Sequence, residues 1–115
     1  MNKIRLVVNN EAKKNEREKF FIKKELQSIL NLYAKMVSNG SWKDYSFTSS
    51  IKEVSFDVYQ RASDKPVLRI LKNLKPKYYD ERYLIKDKNG AILKKSENLN
   101  QLISKISWNK LKLVK

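Results

Sequence analysis

The stretch VSFDVYQRASDKPVLRIL, residues 54–71, decides the architecture. Val54, Phe56 and Val58 alternate with Ser55, Asp57 and Tyr59, the period of two expected of a strand buried on one face. RASDKP then groups residue types that accept turn geometry, and residues 67–71 resume the extended pattern. Two strands joined by so short a connection pair antiparallel, because parallel neighbours need a crossover of a dozen or more residues.

Toward the C-terminus, residues 83–87 and 91–95 flank Lys88-Asn89-Gly90. Asn-Gly is a strong hairpin signal, since both positions tolerate positive φ. Leu99, Leu102, Ile103 and Ile106 then fall at helical spacing, with Ser96 or Asn98 as the cap. KLKLVK closes the chain as a short strand or frayed tail.

Toward the N-terminus the period also becomes helical. Ile22, Leu26, Ile29, Leu30, Tyr33, Met36 and Val37 predict one apolar stripe from Phe21 onward, with Lys23, Lys24, Gln27, Asn31 and Lys35 on the other face. Ser38, Asn39 and Gly40 predict its end, because glycine accepts the left-handed cap. Trp42 is expected to fold back over the stripe as a core lid, leaving Lys43 and Asp44 as an exposed turn, and Trp108 is expected to pack at a helix end. NEAKKNEREK, residues 10–19, reads as a charged flexible linker, preceded by a short strand through Ile4, Leu6 and Val8. The expected organisation is an N-terminal strand and linker over residues 1–20 and one α+β domain over 21–115. That domain is an antiparallel β-meander of about four strands with two amphipathic helices packed on one face.

The composition restricts the chemistry. With 115 residues and 41% hydrophobic content, the chain is long enough for one core and short for two. It has no cysteine and no histidine, so disulfides, thiolate nucleophiles, sulfur-ligated zinc and the usual neutral-pH base are all missing. Two glycines cannot build a phosphate-cradling loop, and the 12 acidic residues form no metal-loop or paired-carboxylate pattern. A carboxylate mechanism would fall to Asp57 or Asp64, each beside an apolar strand, but the expectation is a protein that is not an enzyme, with no cofactor and no metal. Apolar runs are too short for a membrane span and no leader pattern is visible, so a cytoplasmic location is expected.

If Val54, Phe56, Val58, Leu68, Ile70, Tyr83 and Ile85 point at the helices, then Tyr59, Val67, Arg69, Leu71, Arg82, Leu84 and Lys86 point away. That outward set is more apolar than a fully solvated face should be, which suggests a cover or a partner.

The charge points to a partner as well. Lys and Arg number 26 against 12 acids, a formal +14, and residues 65–95 contain ten basic and three acidic residues with Tyr78, Tyr79 and Tyr83 interleaved. Cations for phosphates and rings for bases are what nucleic-acid binding needs. The residues nominated for RNA or DNA are Arg69, Lys72, Lys75, Lys77, Tyr78, Arg82 and Lys86. A competing reading has 21 lysines and eleven asparagines reflecting an AT-rich genome, with the lysines serving as solvated surface. The alternative function is a protein–protein adaptor or a dimerising module, whose partner is another protein or a second copy of the chain.

Four blocks in order, ELQSILNLYAKMVSNGSWKDY, VSFDVYQRASDKPVLRI, GAILKK and LKLV, resemble an alphaproteobacterial family of unknown function, domain of unknown function 2794. The resemblance spans most of the chain from about Phe21 to Val114. It implies a small bacterial domain with no assigned activity, cofactor or catalytic residue. The family pattern sets a basic residue at position 60, an acidic one at 64 and an aromatic one at 67. Gln60 and Val67 depart from it, leaving Arg61, Ser63 and Asp64 as the polar positions of a hairpin contact.

Overall fold

The computed structural model describes residues 20–61, 65–106 and Trp108. The elements run α1 (Lys23–Ser38), β1 (Asp44–Ser49), β2 (Glu53–Tyr59), β3 (Leu68–Asn73), a 3-10 turn (Tyr79–Glu81), β4 (Tyr83–Asp87), β5 (Ile92–Ser96) and α2 (Leu99–Ser104). The strands form one antiparallel sheet in the order β1-β2-β3-β4-β5, an uninterrupted meander. The expected strand at Ile4, the charged linker, the terminal KLKLVK, and Ser63 and Asp64 lie outside the described residues.

The sheet has five strands where the sequence pattern predicts about four. The additional one is β1, and Asp44, expected in an exposed turn, opens it. DYSFTS alternates, Tyr45 and Phe47 with Ser46 and Thr48, but with only two apolar residues the pattern is too short to mark a strand by itself. Tyr45 and Phe47 are 41% and 38% exposed, and every other residue of the strand is polar.

The inner face agrees with the alternation in the sequence. Val54, Phe56, Val58, Leu68, Ile70, Tyr83 and Ile85 all belong to the core cluster, with Ile29, Leu32 and Met36 of α1 and Leu99 and Leu102 of α2. Trp42 is 2% exposed and meets Trp108 edge-on at 5.8 Å, so both tryptophans are packing residues. Trp108 satisfies its buried N–H on Ile103 O at 2.8 Å.

The turn before Trp42 follows from the end of α1. Ser41 N–H donates to Met36 O at 2.9 Å and Gly40 N–H to Val37 O at 3.0 Å, while Gly40 adopts φ 83°. This is the Schellman arrangement, and it requires a residue that is comfortable in the left-handed region. It delivers Trp42 directly onto the core. At the start of α2, Asn98 is the cap, its side chain accepting from Gln101 N–H at 3.0 Å.

The stripe on α1 differs from expectation. Its buried residues are Glu25, Ile29, Leu32 and Met36, whereas Leu30 and Val37 are each 41% exposed and Ile22 is 39% exposed. The apolar arc from Leu32 round to Leu30 covers about 160° at 100° per residue, wider than one sheet contact can bury. The sheet takes the half that includes Glu25, because that carboxylate finds its partners there.

Those partners are Lys72 and Tyr83. Glu25 Oε1 accepts from Lys72 Nζ at 3.0 Å and from Ile22 N–H at 2.8 Å, and Oε2 accepts from the Tyr83 hydroxyl. Lys72 also donates to Phe20 O at 2.8 Å. Each charge of the group is thus paired and hydrogen-bonded, as a buried charge must be.

Candidate nucleic-acid interface

The outward face of the sheet carries a polar lattice at its centre. Asp57 is 3% exposed; its Oδ1 accepts from Ser55 Oγ at 2.8 Å and Arg69 Nε at 2.9 Å, and its Oδ2 accepts from Thr48 Oγ1 at 2.7 Å. Arg69 Nη2 adds a bond to Ser55 Oγ at 2.9 Å and lies 4.0 Å from Glu53. The register that aligns Ser46, Asp57, Arg69 and Lys86 in one row brings these groups together. Asp57 is therefore tied into the sheet by three donors. Leu71 and Leu84, neighbours in the next row, point outward but are 1% and 9% exposed, so they are packing residues and not open surface.

The nominated residues consequently divide. Arg69 directs its guanidinium at Asp57 and Ser55. Lys86 lies opposite it, half-buried, with no ion pair among the described residues. Lys72 is a correction: at 2% exposure its ammonium is spent on Glu25 and Phe20 O and cannot reach a phosphate. Its place on β3, two residues after Ile70, sets it on the inner face with Leu68 and Ile70. Tyr83, interleaved with these cations in the sequence, has its ring in the core, as the inward set predicts. Arg61 is exposed just beyond β2, and nothing among the described residues joins it to the other candidates.

Lys75, Lys77, Tyr78 and Arg82 do come together, on the β3–β4 connection. Its base is closed by Asn73 N–H donating to Arg82 O at 2.8 Å, and Leu74, its one inward-packed residue, donates its N–H to Lys52 O at 2.8 Å. That second bond fixes the connection against the β1–β2 turn. Asn73 Oδ1 accepts from Lys75 N–H at 3.2 Å, and Arg82 Nη1 reaches Leu74 O at 3.5 Å, so Arg82 braces the loop from a half-buried position. The 3-10 turn, closed by Glu81 N–H on Tyr78 O at 3.0 Å, then projects two rings.

Tyr78 is 58% exposed and Tyr79 is 86% exposed. Lys77 Nζ lies 5.7 Å from the centre of the Tyr78 ring. Ile51, on the adjoining turn, is 82% exposed, and Lys52, Lys75 and Lys77 are exposed around it. The loop's own acids are drawn aside: Lys95 Nζ lies 3.6 Å from Asp80 Oδ2 and 4.0 Å from Glu81 Oε2. The tip thus carries the ammonium groups of Lys52, Lys75 and Lys77 and two exposed rings, beside an Asp80 side chain that stays 59% exposed. Sequence reasoning nominates Tyr78 but not Tyr79, Ile51 or Lys52; Lys52 and Ile51 join the cluster only through the backbone bond to Leu74.

A concavity of about 200 Å³ opens between α1 and α2, lined by Ser28, Tyr83, Glu97, Asn98 and Asn100 among others. Its buried polar groups, Glu25 and Tyr83, are already engaged with each other, and at its exposed rim Ser28 Oγ donates to Asn100 Oδ1 at 2.7 Å. Burial raises the Tyr83 hydroxyl to about 12, helped by its bond to the Glu25 carboxylate and opposed by Arg82. It stays a hydrogen-bond donor at neutral pH. No group of three or more potential metal ligands occurs among the described residues. No helix among them is long and apolar enough to cross a membrane.

The fold and its tip define a small α+β meander protein with a basic, aromatic loop end. The chain belongs to the family described as "Protein of unknown function (DUF2794)", whose model matches residues 19–103. No curated protein and no solved structure matches it.

Proposed function

We propose that this protein binds single-stranded nucleic acid, RNA or DNA, at the tip formed by the β3–β4 connection and the β1–β2 turn. The observation that supports this reading best is the pairing of two neighbouring tyrosines, 58% and 86% exposed, with Lys75 and Lys77 of the same loop and Lys52 of the adjoining turn, while Lys95 lies within 4.0 Å of the loop's two acids. A tyrosine so exposed contributes little to the fold, whereas a base presents a flat face on which its ring stacks regardless of sequence. The lysines supply sequence-independent attraction to phosphates, strengthened by a net charge of +14. Arg69 is already paired with Asp57, so the tip, and not the centre of the sheet, carries the contact.

The other function compatible with the sequence is a protein adaptor. Exposed Ile51 and the two tyrosines would also suit a protein hot spot, a role in which tyrosine is enriched. Fluorescence anisotropy with labelled RNA, single-stranded DNA and duplex DNA at several salt concentrations separates the two. Strong salt-dependent binding to single strands supports the nucleic-acid reading. Affinity no better than weak micromolar for all three near physiological salt leaves the adaptor.

A further inference from the structure

The two edges of the sheet are built differently. β5, ILKKS, carries Lys94 and Lys95 and a register shift opposite Ile85 and Lys86. Lysines and bulges are the devices by which sheets prevent edge-to-edge pairing. β1, DYSFTS, has none of them: no lysine, no proline, and six consecutive pairs with β2 in unbroken register.

The backbone of β1 is also oriented for pairing. Ser50 N–H donates to Glu53 O at 2.8 Å, and the register is continuous from there, so residues 44, 46 and 48 bond to β2 while 45, 47 and 49 face the open edge. Asp44 Oδ1 occupies the Tyr45 N–H at 2.8 Å. The N–H groups of Phe47 and Ser49 remain as edge donors among the described residues.

An apolar strip runs beside that edge. Tyr45 and Phe47 are 41% and 38% exposed, and Leu30 and Val37 of α1 are each 41% exposed. Tyr33 meets Tyr45 at 4.9 Å, which puts this side of α1 next to β1. In a chain of net charge +14, the strand carries one acid and no cation, so it is a place where two positively charged copies approach without direct repulsion.

We infer that β1 is a homodimerisation edge, pairing antiparallel with β1 of a second copy about a two-fold axis. Antiparallel self-pairing is isologous, so a single strand sequence satisfies both sides. Centred on Phe47, it sets each Phe47 opposite the other and each Tyr45 opposite the other copy's Ser49. All four rings then lie on the helix side, against the exposed stripes of both α1 helices, and the two sheets become one of ten strands. Two tips on one particle would raise avidity for a long strand without enlarging either tip.

The test is sedimentation equilibrium of the full, nuclease-treated chain at rising concentration in high salt, where bridging by nucleic acid is suppressed. The result is thereby independent of the nucleic-acid reading. The mass of two chains is expected for the wild type. Ser49→Pro removes only an edge donor and touches none of the ring pairs; it should return the mass of one chain with thermal unfolding retained. Phe47→Lys should also return the mass of one chain, but it gives up ring contacts with Phe20, Phe21, Tyr45 and Phe56, so Ser49→Pro is the variant that reports on the edge alone. A wild type with the mass of one chain at every concentration overturns the inference, as does a dimer that persists in both variants. Protection of the Phe47 and Ser49 amides from hydrogen exchange that does not depend on concentration would put another part of the same chain on the edge, and also overturns it.

Discussion

Lys72 Nζ lies 3.0 Å from Glu25 Oε1, joining two residues 47 positions apart, and both are shut away from solvent at 2% and 9% exposure. The pair fixes the first turn of α1 to the middle of the sheet. Such a pair can be worth little against an apolar substitute, but removal of one partner strands a buried charge. Lys72→Ala should therefore cost about 3–5 kcal/mol in urea denaturation. The double change Glu25→Gln, Lys72→Met should recover a large part of that stability. A cost below about 1 kcal/mol, the range of exposed pairs, would mean that solvent reaches the site.

Tyr83 makes stability depend on alkaline pH. Its folded-state pKa, about 12, exceeds the ordinary value of 10.0, so between those values the native state holds a proton that the unfolded chain has released. The contribution is complete below pH 10 and is lost as pH rises through 12. By linkage it amounts to roughly 2–3 kcal/mol. The gap in unfolding free energy between wild type and Tyr83→Phe should therefore narrow from pH 9 to pH 12. Tyr33, raised first by burial and then by Asp44 and Tyr45, leaves a slope of the same sign in both proteins. A constant gap across this range would contradict the buried Tyr83–Glu25 bond.

The rotated stripe on α1 is checked by two truncations. Ile29→Ala, at a site with no exposure, should cost about 2–5 kcal/mol. Leu30→Ala, at 41% exposure, should cost about 1 kcal/mol or less. Chemical denaturation of both variants measures the difference, and equal costs would place Leu30 in the core after all.

The strands that can be read from the sequence share a property that β1 lacks. Val54, Phe56, Val58, Leu68, Ile70 and Ile85 are aliphatic or aromatic at alternate positions and are buried, so periodicity alone indicates both the strand and its facing side. β1 escapes because it offers only two apolar positions, Tyr45 and Phe47, too few for periodicity to mark a strand. Glu25 and Lys72 escape for a different reason. Hydrophobic patterning assigns any charged side chain to the surface, whereas here each charge is buried because the other is present. The tip is half legible: composition locates the basic, tyrosine-bearing segment, but which rings point out depends on the 3-10 turn, and Lys52 arrives from a different part of the chain.

Replacing Lys52, Lys75 and Lys77 with glutamine should leave stability nearly unchanged, since exposed charges contribute little. Single-strand binding should weaken, and the plot of log affinity against log salt should flatten by about 0.7 for each phosphate that is no longer neutralised. An unchanged slope would place the phosphates elsewhere.

The most direct measurement is the affinity of wild type, Tyr78→Ala and Tyr79→Ala for a labelled single strand and for a duplex, by fluorescence anisotropy near physiological salt. Each truncation should cost roughly 1–3 kcal/mol on the single strand, the range for one base stacked on a ring, and much less on the duplex, whose bases are already stacked. Folding should be unaffected, because these rings are 58% and 86% exposed. Wild-type binding to single strands that falls away when either ring is removed is the predicted result. Single-strand affinity that is unchanged in both variants, or wild-type binding no better than weak micromolar, would contradict the account.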